Sequence, residues 1–146
     1  MPSPDVDPIG LQLTRVARTV SRAFDATLAE AGGSLPMWLI LVSLKGRAHG
    51  AQRELAAAIG IEDATLTHHL NRMERAGLVT RQRDPDNRRV HQVELTKSGD
   101  AMFFSLLERV VSFDERLRAG FSDRDLAHAR RLLDRLAANV NDQGST

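Results

Sequence analysis

The sequence predicts a mainly α fold of the α+β class, in which two short helices and one β-hairpin lie between long amphipathic helices. Three observations support this prediction. Apolar residues recur at steps of three and four towards both ends of the chain, which is the period of a helix with one buried face. Two short helix-forming segments meet at Gly60. Finally, the stretch RQRDPDNRRVHQVELT places a turn sequence before alternating apolar and polar residues, which is typical of a hairpin.

Composition limits the classes of protein to which the chain can belong. Its 146 residues suit one domain, and the net charge of +1 means that any basic surface for nucleic acid must be local. Cysteine is absent, which excludes disulfides, thiolate redox sensing and cysteine zinc sites. The start MPSPDVDP lacks the pattern of a signal peptide, and the longest apolar run, residues 37–42, is too short to span a bilayer. We therefore expect a soluble, cytoplasmic protein without a membrane partner.

The first two helices are placed by their start and stop signals. Asp7 and Pro8 form a favourable helix start, because aspartate can cap free amides and proline has a preset backbone angle. The apolar residues that follow keep a helical period until about Ala31, where two glycines end the helix. A second helix is expected to begin near Ser34 and to end near Gly46.

Residues 52–77 have the pattern of a helix-turn-helix. QRELAAAIG closes on Gly60, and EDATLTHHLNRMERAG opens with acidic residues and ends at Gly77, which can adopt a left-handed cap. Two helices joined by about three residues including a glycine form this motif. At 100° per residue, one side of the second helix is expected to face inward. That side comprises Leu66, His69, Leu70 and Met73.

The opposite side of this second helix is short, polar and basic. It comprises Ala64, Thr65, Thr67, His68, Asn71, Arg72 and Arg75. Such side chains can meet base edges and phosphates when a helix enters the major groove of DNA. A polar helix face taken alone is more often simply solvated, so the helix by itself favours solvation over DNA binding.

The hairpin after the helix favours the DNA interpretation. In its turn sequence DPDN, aspartate comes first, proline stands at the preset second place, and asparagine can take a positive φ. The hairpin carries four arginines, namely Arg81, Arg83, Arg88 and Arg89. We expect the turn to direct Arg88 and Arg89 outward, where a guanidinium can reach the minor groove beside the helix. Asp86 can hold Arg88 by a charge-assisted hydrogen bond and fix its direction.

Taken together, these stretches resemble the MarR family of winged-helix transcriptional regulators. The similarity runs from LPMWLILVSL through ELAAAIG to VELTKSG, and its most specific parts are RAGLV with a following arginine, the DPDNRR turn, and VELT with a nearby glycine. The resemblance implies a homodimer whose first and last helices intertwine, two winged helix-turn-helix lobes, and binding to a pseudo-palindromic operator. It also implies that the helix beginning near Asp63 enters the major groove and that Arg88, steadied by Asp86, enters the minor groove.

The helix face, the hairpin and the resemblance together predict the DNA-binding residues. These are Gln52, Ala64, Thr65, Thr67, His68, Asn71, Arg72, Asp86, Arg88 and Arg89. Ala51 departs from the family pattern, which usually has threonine or serine there, so a helix cap and a phosphate contact can be missing. His69 stands where an aliphatic residue is common, and we interpret it as a hydrogen-bonded core histidine rather than a switch. His68 stands in the place of a frequent arginine, and we interpret it as a DNA contact rather than a solvated residue.

The last third of the chain predicts dimerisation independently of any family. Thr96 can cap a helix with two apolar stripes, and Ser122 with Asp125 forms a capping box before a further helix. The stripes of the first of these helices are Met102, Leu106, Val110, Phe113 and Leu117, and Phe103, Leu107 and Val111. The stripe of the second is Leu126, Ala129, Leu133, Leu136 and Val140.

Together with the first helix, these stripes present more apolar surface than one small core can cover. Association of two chains would bury it, whereas coverage within a monomer is the alternative. We accordingly predict an N-terminal dimerisation helix (residues 1–34), a winged helix-turn-helix DNA-binding lobe (35–97), C-terminal dimerisation helices (98–141) and a disordered tail (142–146).

Catalysis is the rival class of function, and the sequence offers little for it. The motifs GxxxxGK[ST], HExxH and GxSxG are absent, and the five histidines are scattered, so we expect no enzyme, no metal site and no cofactor. We predict a DNA-binding transcriptional regulator, a repressor that acts as a homodimer. The alternative is a ligand-sensing or protein-interaction dimer of the same fold that does not bind an operator.

The family resemblance also implies a cleft between the dimer helices and the winged lobe. Many relatives accept small aromatic or phenolic anions there, so a small aromatic or phenolic effector is a predicted partner. The candidate lining residues are Arg18, Phe24, Trp38 and Phe113. Core packing also explains Trp38 and the two phenylalanines. An effector that favours a lobe spacing unsuited to the operator would release DNA by population shift.

Overall fold

The computed structural model describes residues 7–46, 50–87 and 91–141 of the chain. In this part the fold is mainly helical with a small sheet, which confirms the predicted class. The elements in chain order are α1 (Ile9–Glu30), α2 (Leu35–Gly46), β1 (Gly50–Ala51), α3 (Gln52–Ile59), α4 (Asp63–Arg75), β2 (Val79–Arg83), β3 (His91–Leu95), α5 (Lys97–Arg118) and α6 (Asp123–Asn141).

The three strands form an antiparallel sheet in the order β1-β3-β2. Strands β2 and β3 are the predicted hairpin, paired from Val79 opposite Leu95 to Arg83 opposite His91. Strand β1 was not predicted. Its two residues lie on the other side of β3, with Gly50 opposite Val93.

The helix ends follow the predicted glycine and capping signals, with one exception. Gly60 and Gly77 have φ of 80° and 76°, which only glycine adopts without strain, and they end α3 and the turn after α4. At the start of α1 the predicted aspartate cap is wrong. Pro8 is the capping residue and no side chain bonds to the free amides, whereas Asp7 forms an ion pair with Arg15 at 2.5 Å. The helix begins one residue later than predicted, so Asp7 stands before the capping position.

The capping predictions for the two last helices are confirmed. Thr96 Oγ1 accepts a hydrogen bond from the Gly99 amide at 3.0 Å. Ser122 and Asp125 form the predicted capping box, in which each backbone amide donates to the other residue's side chain at 3.1 Å. These bonds satisfy amides that have no partner within the helix.

The chain divides into two compact units, residues 1–111 and residues 112–146. The first unit holds one hydrophobic core, to which α1 to α5, β2 and β3 contribute. Its buried members are Leu28, Ile40, Leu41, Leu44, Leu55, Ala56, Leu66, Leu70, Met73, Leu78, Val79, Val93 and Leu106. The inward prediction for α4 is confirmed for Leu66, Leu70 and Met73, whose side chains are at most 2% exposed.

The second unit contains the end of α5 and the whole of α6. No residue of α6 is buried, and its apolar side chains include Leu132 and Leu133, which are 43% and 49% exposed, and Val140, which is 74% exposed. In the first unit, the start of α1 is similarly exposed at Ile9, Leu11 and Val16. Exposed apolar residues at helical spacing on each of these helices are unusual for a surface that faces only water.

Within the described ranges, no single helix is long and apolar enough to cross a membrane. Helices α1 and α2 pass the same test of length and composition only when taken together, and they are bent by 73° at the break between them.

The junction between α4, β2 and α5 is tightly packed at Gly99. A Cβ atom added there would lie 2.0 Å from the backbone carbonyl oxygen of Leu78, which already accepts a hydrogen bond from the Thr96 amide. Thr96 Oγ1 in turn donates to the Gly77 carbonyl oxygen at 2.5 Å. We expect Gly99→Ala to lower the free energy of unfolding by roughly 1–3 kcal/mol, because backbone must move to admit the methyl group. Urea titration of both proteins measures this difference.

Gly10→Ala is the matched control, because a Cβ added at Gly10 meets nothing within 4 Å. We expect this helical substitution to leave stability unchanged or slightly raised. Equal stabilities of Gly99→Ala and the unmodified protein would contradict the packing at this junction.

Candidate nucleic-acid interface

Helix α4 presents a polar face because its apolar residues are committed to the core. Leu66, Leu70 and Met73 fix the helix about its axis, and a step of 100° per residue then leaves the opposite side outside. Four predicted DNA-binding residues are exposed on it, namely Ala64, Thr65, His68 and Arg72. The outward prediction is therefore confirmed for these positions, and their contact with DNA stays a prediction.

Thr67 and Gln52, also predicted to contact DNA, contact each other. The Gln52 amide Nε2 donates to Thr67 Oγ1 at 2.7 Å, and Thr67 Oγ1 donates to the backbone carbonyl oxygen of Asp63 at 2.9 Å. This chain of bonds joins the first residue of α3 to the first turns of α4. Since the single hydroxyl proton of Thr67 is already donated, its free capacity towards DNA is limited to accepting.

Asn71 is held by a residue of the hairpin. Arg81 Nη2 donates a short hydrogen bond to Asn71 Oδ1, and the same guanidinium contacts Glu74 through Nη2 at 3.2 Å and Nε at 3.5 Å. The Arg81 side chain is only 17% exposed. The prediction grouped four hairpin arginines, yet this one lies against α4.

The Glu74 carboxylate is influenced mainly by this contact. The hydrogen bond from Arg81 lowers the pKa of Glu74 below its usual value of 4.5, the charges of Arg81 and His91 act in the same direction, and partial burial opposes them. A carboxylate that is hydrogen-bonded in its charged form is expected to behave in this way. The base of the hairpin is therefore tied electrostatically to the end of α4.

The hairpin tip is described only as far as Asn87. Asp84 Oδ1 accepts a hydrogen bond from the Asp86 amide at 2.8 Å, which is the local turn that its residue type predicts. Among the described residues only glycines take a positive φ, so Asn87 does not use that conformation. Arg88 and Arg89 lie outside the described residues, and the contact predicted between Arg88 and Asp86 therefore stays a prediction.

The start of α3 opens onto a cleft of about 530 Å³. It is lined by Ala51, Gln52, Arg53, Glu54, Asp63, His91 and Gln92. Ala51 precedes α3 in an extended conformation and makes no side-chain capping bond, as the missing hydroxyl predicts. First-turn amides of α3 thus have no side-chain cap at the place where the family resemblance puts a phosphate contact.

His69 is not the core histidine that the sequence suggested. It is half-buried and lines a cleft of about 320 Å³ between α4 and the turn before α2, together with residues such as Ser34 and Arg72. Partial burial lowers the pKa of His69, and the neighbouring charges of His68 and Arg72 lower it further. The step of 100° per residue places His69 on the inward side of α4, but at this position that side borders the cleft and not the buried core.

The predicted ligand-lining residues have different surroundings. Trp38 stacks on Phe103 with ring centroids 5.5 Å apart and an angle of 9° between the planes, and Phe24 packs partly buried against the core. Arg18 lies on α1 in a shallow groove with Leu13 and Ser21. Phe113 belongs to the second unit, where the Arg116 guanidinium lies 5.8 Å from its ring centroid.

In the described ranges, no three histidine, aspartate or glutamate side chains come together as potential metal ligands. Sequence reasoning missed the contact of Arg81 with Asn71 and Glu74, because the partners are ten and seven residues apart and belong to different elements. One signal was present: Arg81 stands on a strand directly after α4, and Glu74 stands near the end of that helix.

Comparison with known proteins gives a consistent result. Residues 34–91 match the model of the MarR family. The HTH-type transcriptional regulator PecS of Dickeya dadantii is 29% identical over 144 residues, which cover 95% of this chain and 87% of PecS. A mutant of Escherichia coli MarR, solved in complex with operator DNA, has the same fold with a TM-score of 0.78 at 22% identity, covering 88% of this chain and 93% of that one. CouR of Rhodococcus jostii RHA1, solved bound to p-coumaroyl-CoA, reaches a TM-score of 0.74 at 29% identity, covering 90% and 92%.

The contact of Glu74 with Arg81 predicts a pH-dependent contribution to stability. A carboxylate whose pKa is lower in the folded than in the unfolded protein stabilises the fold above the unfolded value and loses that contribution as the pH falls through the folded value. We therefore expect Glu74→Gln to destabilise the protein at neutral pH, and the difference to disappear in acid. An NMR titration of the Glu74 carboxyl carbon should give a midpoint below 4.5.

Arg81→Met serves as the control, since it removes the donor while keeping an unbranched side chain. We expect it to move the Glu74 midpoint upward. A midpoint at or above 4.5 in the unmodified protein, or no response to Arg81→Met, would contradict the contact.

Proposed function

The chain belongs to the MarR family of winged-helix transcriptional regulators, and from this premise we propose that it is a repressor that binds a pseudo-palindromic operator as a homodimer. As a member of this family it is a regulator of transcription and not an enzyme. The residues proposed to contact DNA are those predicted from the sequence, with α4 in the major groove and the hairpin tip in the neighbouring minor groove.

The observation that carries this proposal is the exposed polar face of α4. Thr65, His68 and Arg72 are exposed on a helix whose opposite side is held in the core by three buried apolar side chains, so they are presented on a rigid support. Hydroxyl, imidazole and guanidinium groups offer both donors and acceptors to base edges and phosphates. A helix face that only meets solvent needs no such support. A helix that reads bases in the major groove (a reading helix) needs its side chains held at fixed positions, and the buried side of α4 holds them there.

The homodimer is supported by the exposed apolar residues of α1 and α6. Ile9 and Val16 on α1 are 61% and 52% exposed, and Leu133 on α6 is 49% exposed. A second copy of the chain that covers these helices would remove this surface from water. Two-fold symmetry would place two reading helices about 34–36 Å apart, on successive turns of the same DNA face. Residues 1–34 and 98–141 are the proposed dimerisation segments.

The proposed effector is a small aromatic or phenolic compound. The support is the relative CouR, whose structure contains p-coumaroyl-CoA, and the sequence resemblance already described. Arg18 would supply the cation for such an anion, with Phe24 and Trp38 of the same unit as candidate apolar contacts. Such an effector would act by preferring a conformation of the dimer in which the two α4 helices no longer fit the operator.

Footprinting on genomic fragments tests the function directly. We expect the purified protein to protect a palindromic stretch of its own upstream region and to elute as a dimer in size-exclusion chromatography with light scattering. A panel of aromatic acids added to the footprint should contain at least one that removes protection. A monomer, or a dimer without preference for any duplex over random sequence, would overturn the proposal, and the latter result would support a ligand-sensing dimer instead.

The hairpin tip has its own test. We expect Arg88→Ala to weaken operator binding and to reduce the slope of log K against log salt concentration by about one unit. The reason is that binding would neutralise one phosphate fewer and so release about one counterion fewer from the DNA. Gel shifts at several salt concentrations measure the slope. Arg109→Ala is the matched control, since Arg109 is ion-paired with Glu30 at 2.6 Å and lies on α5. Equal slopes for Arg88→Ala and the unmodified protein would show that this arginine does not contact DNA.

A further inference from the structure

The end of α4 and the start of α5 meet at Thr96. Its Oγ1 atom donates a hydrogen bond to the Gly77 carbonyl oxygen at 2.5 Å and accepts one from the Gly99 amide at 3.0 Å. The Thr96 amide donates to the Leu78 carbonyl oxygen at 3.1 Å. Gly77 and Leu78 lie just after α4, whereas Gly99 lies in the first turn of α5. One residue therefore connects the two helices.

We propose that Thr96 is a positioning residue, which fixes the direction of α5 relative to α4 and thereby sets the separation of operator half-sites that the dimer accepts. The inference rests on the proposed function, because it needs a homodimer in which α4 reads DNA and residues 98–141 join two copies. In such a dimer, α5 is the segment that connects each DNA-binding lobe to the C-terminal dimerisation region.

The hydroxyl group of Thr96 suits this role because its bonds are directional. A hydroxyl has one proton and two lone pairs, so donation to Gly77 uses the proton and the Gly99 amide uses one lone pair. Both bonds converge on Oγ1, which is carried by a β-branched side chain with restricted rotation. The carbonyl group after α4 and the first turn of α5 are therefore restrained in both distance and direction.

The first turn of α5 also packs directly on backbone. Gly99 is buried, and a Cβ atom added there would lie 2.0 Å from the Leu78 carbonyl oxygen. The Leu78 amide in turn donates to the Met73 carbonyl oxygen at 2.9 Å, which continues the hydrogen bonding of α4 beyond its last residue. Met73 belongs to the core and is 2% exposed. The start of α5 thus rests on the end of α4 itself.

Other contacts attach α5 to α2. Trp38 stacks on Phe103 with ring centroids 5.5 Å apart, and the Asp100 carboxylate pairs with Lys45. The side chains of this ion pair are 37% and 44% exposed, so it contributes little. Attachments at two places along a helix define its direction, whereas one attachment leaves it free to tilt. Loss of the Thr96 hydroxyl would therefore allow α5 to tilt about its remaining contacts with α2 and the core.

A small change of direction at this junction becomes large along α5. The part of α5 inside the first unit, residues 97–111, is roughly 22 Å long at 1.5 Å per residue. A tilt of about 10° at its start would move its far end by roughly 4 Å, compared with a rise of about 3.4 Å per base pair of DNA. Loosening at Thr96 would therefore vary the distance between the two lobes by about one base pair.

The first test varies the distance between the half-sites. The probes are the footprinted operator and two duplexes in which one base pair is inserted or deleted at its centre. We expect the unmodified protein to bind the altered duplexes roughly tenfold more weakly, because the two reading helices are held about 34–36 Å apart. Thr96→Val keeps the shape but lacks the hydroxyl, and it should reduce this difference to roughly twofold. Thr96→Ser keeps the hydroxyl and should retain the difference.

The second test measures the two lobes without DNA. The chain has no cysteine, so Ala58→Cys, at an exposed position of α3, allows one spin label per copy. Double electron–electron resonance then gives the distribution of distances between the two labels in the dimer. We expect this distribution to be wider when Thr96→Val is added and unchanged when Thr96→Ser is added. This readout separates the direction of α5 from the affinity for DNA.

Ile40→Val is the control for lost stability. Ile40 is fully buried on α2, and removing one methyl group from it destabilises the core without altering the junction. We expect a lower thermal midpoint of unfolding, with an unchanged preference for half-site spacing and an unchanged distribution of label distances.

Three results would overturn the inference while the proposed function stands. One is a Thr96→Val protein that keeps both the spacing preference and the narrow distribution, even if it is less stable. Another is a Thr96→Ser protein that behaves like Thr96→Val, because the hydroxyl is then not responsible. The third is an unmodified protein that prefers its operator but binds all three spacings equally.

Gly99→Ala decides the question if Thr96→Val does not fold. Its methyl group would displace the first turn of α5 from the Leu78 carbonyl oxygen, so we expect the mean distance between the labels to change. An unchanged mean would contradict the inference. A monomeric protein, or one without any site preference, would instead refute the proposed function.

Discussion

Burial of one face of α4 is the constraint on which the rest of the interface depends. Leu66, Leu70 and Met73 are at most 2% exposed, and a rigid helix cannot bury these three without presenting the residues on its other side. The partners that bury them come from α2, α3 and the sheet, so the polar face is positioned by a core assembled from the whole first unit. A substitution in this core would therefore disturb the proposed DNA-binding face without altering any residue on it.

A second layer of polar contacts refines what the core presents. Gln52 ties the start of α3 to Thr67 near the start of α4, and Arg81 ties the base of the hairpin to Asn71 and Glu74 near its end. Each of these contacts joins two different elements, α3 to α4 in the first case and β2 to α4 in the second. The first contact uses the hydroxyl proton of Thr67, and the second uses one lone pair of Asn71 Oδ1, so the lobe itself fixes how both side chains are oriented on α4.

The parts of this structure that sequence reasoning predicted are those encoded locally. The ends of α3 and α4 follow from Gly60 and Gly77, whose positive φ is a property of the residue. The caps at Thr96 and Ser122 follow from a hydroxyl placed three residues before its target amide. Helical and strand periods likewise need only a few neighbouring residues, which is why the sequence predicts the helix-turn-helix and the hairpin.

The parts that sequence reasoning missed depend on competition between distant partners. The predicted cap at Asp7 is wrong because α1 begins at Ile9, one residue later than expected, which leaves Asp7 before the capping position and paired with Arg15. Strand β1 has only two residues, too few for a period, and exists because β3 offers it an edge. His69 was turned inward correctly, yet what it meets there is set by the loop after α1. The contact of Arg81 with α4 is not predicted, because a strand pattern does not say which side of the strand packs on a helix.

Charge placement explains how a chain with a net charge of +1 can present a DNA-binding surface. Glu74 pairs with Arg81 at the base of the hairpin and thereby removes one cation from the surface that DNA would meet. Arg109, by contrast, pairs with Glu30 on helices outside the proposed interface. Arginines in this lobe have two different roles, which the sequence alone does not distinguish. A paired arginine orients its neighbours, whereas an exposed arginine such as Arg72 remains available to a phosphate. Counting arginines in the hairpin therefore overestimates its electrostatic contribution, and the number of cations that DNA can neutralise is smaller than the number in the sequence.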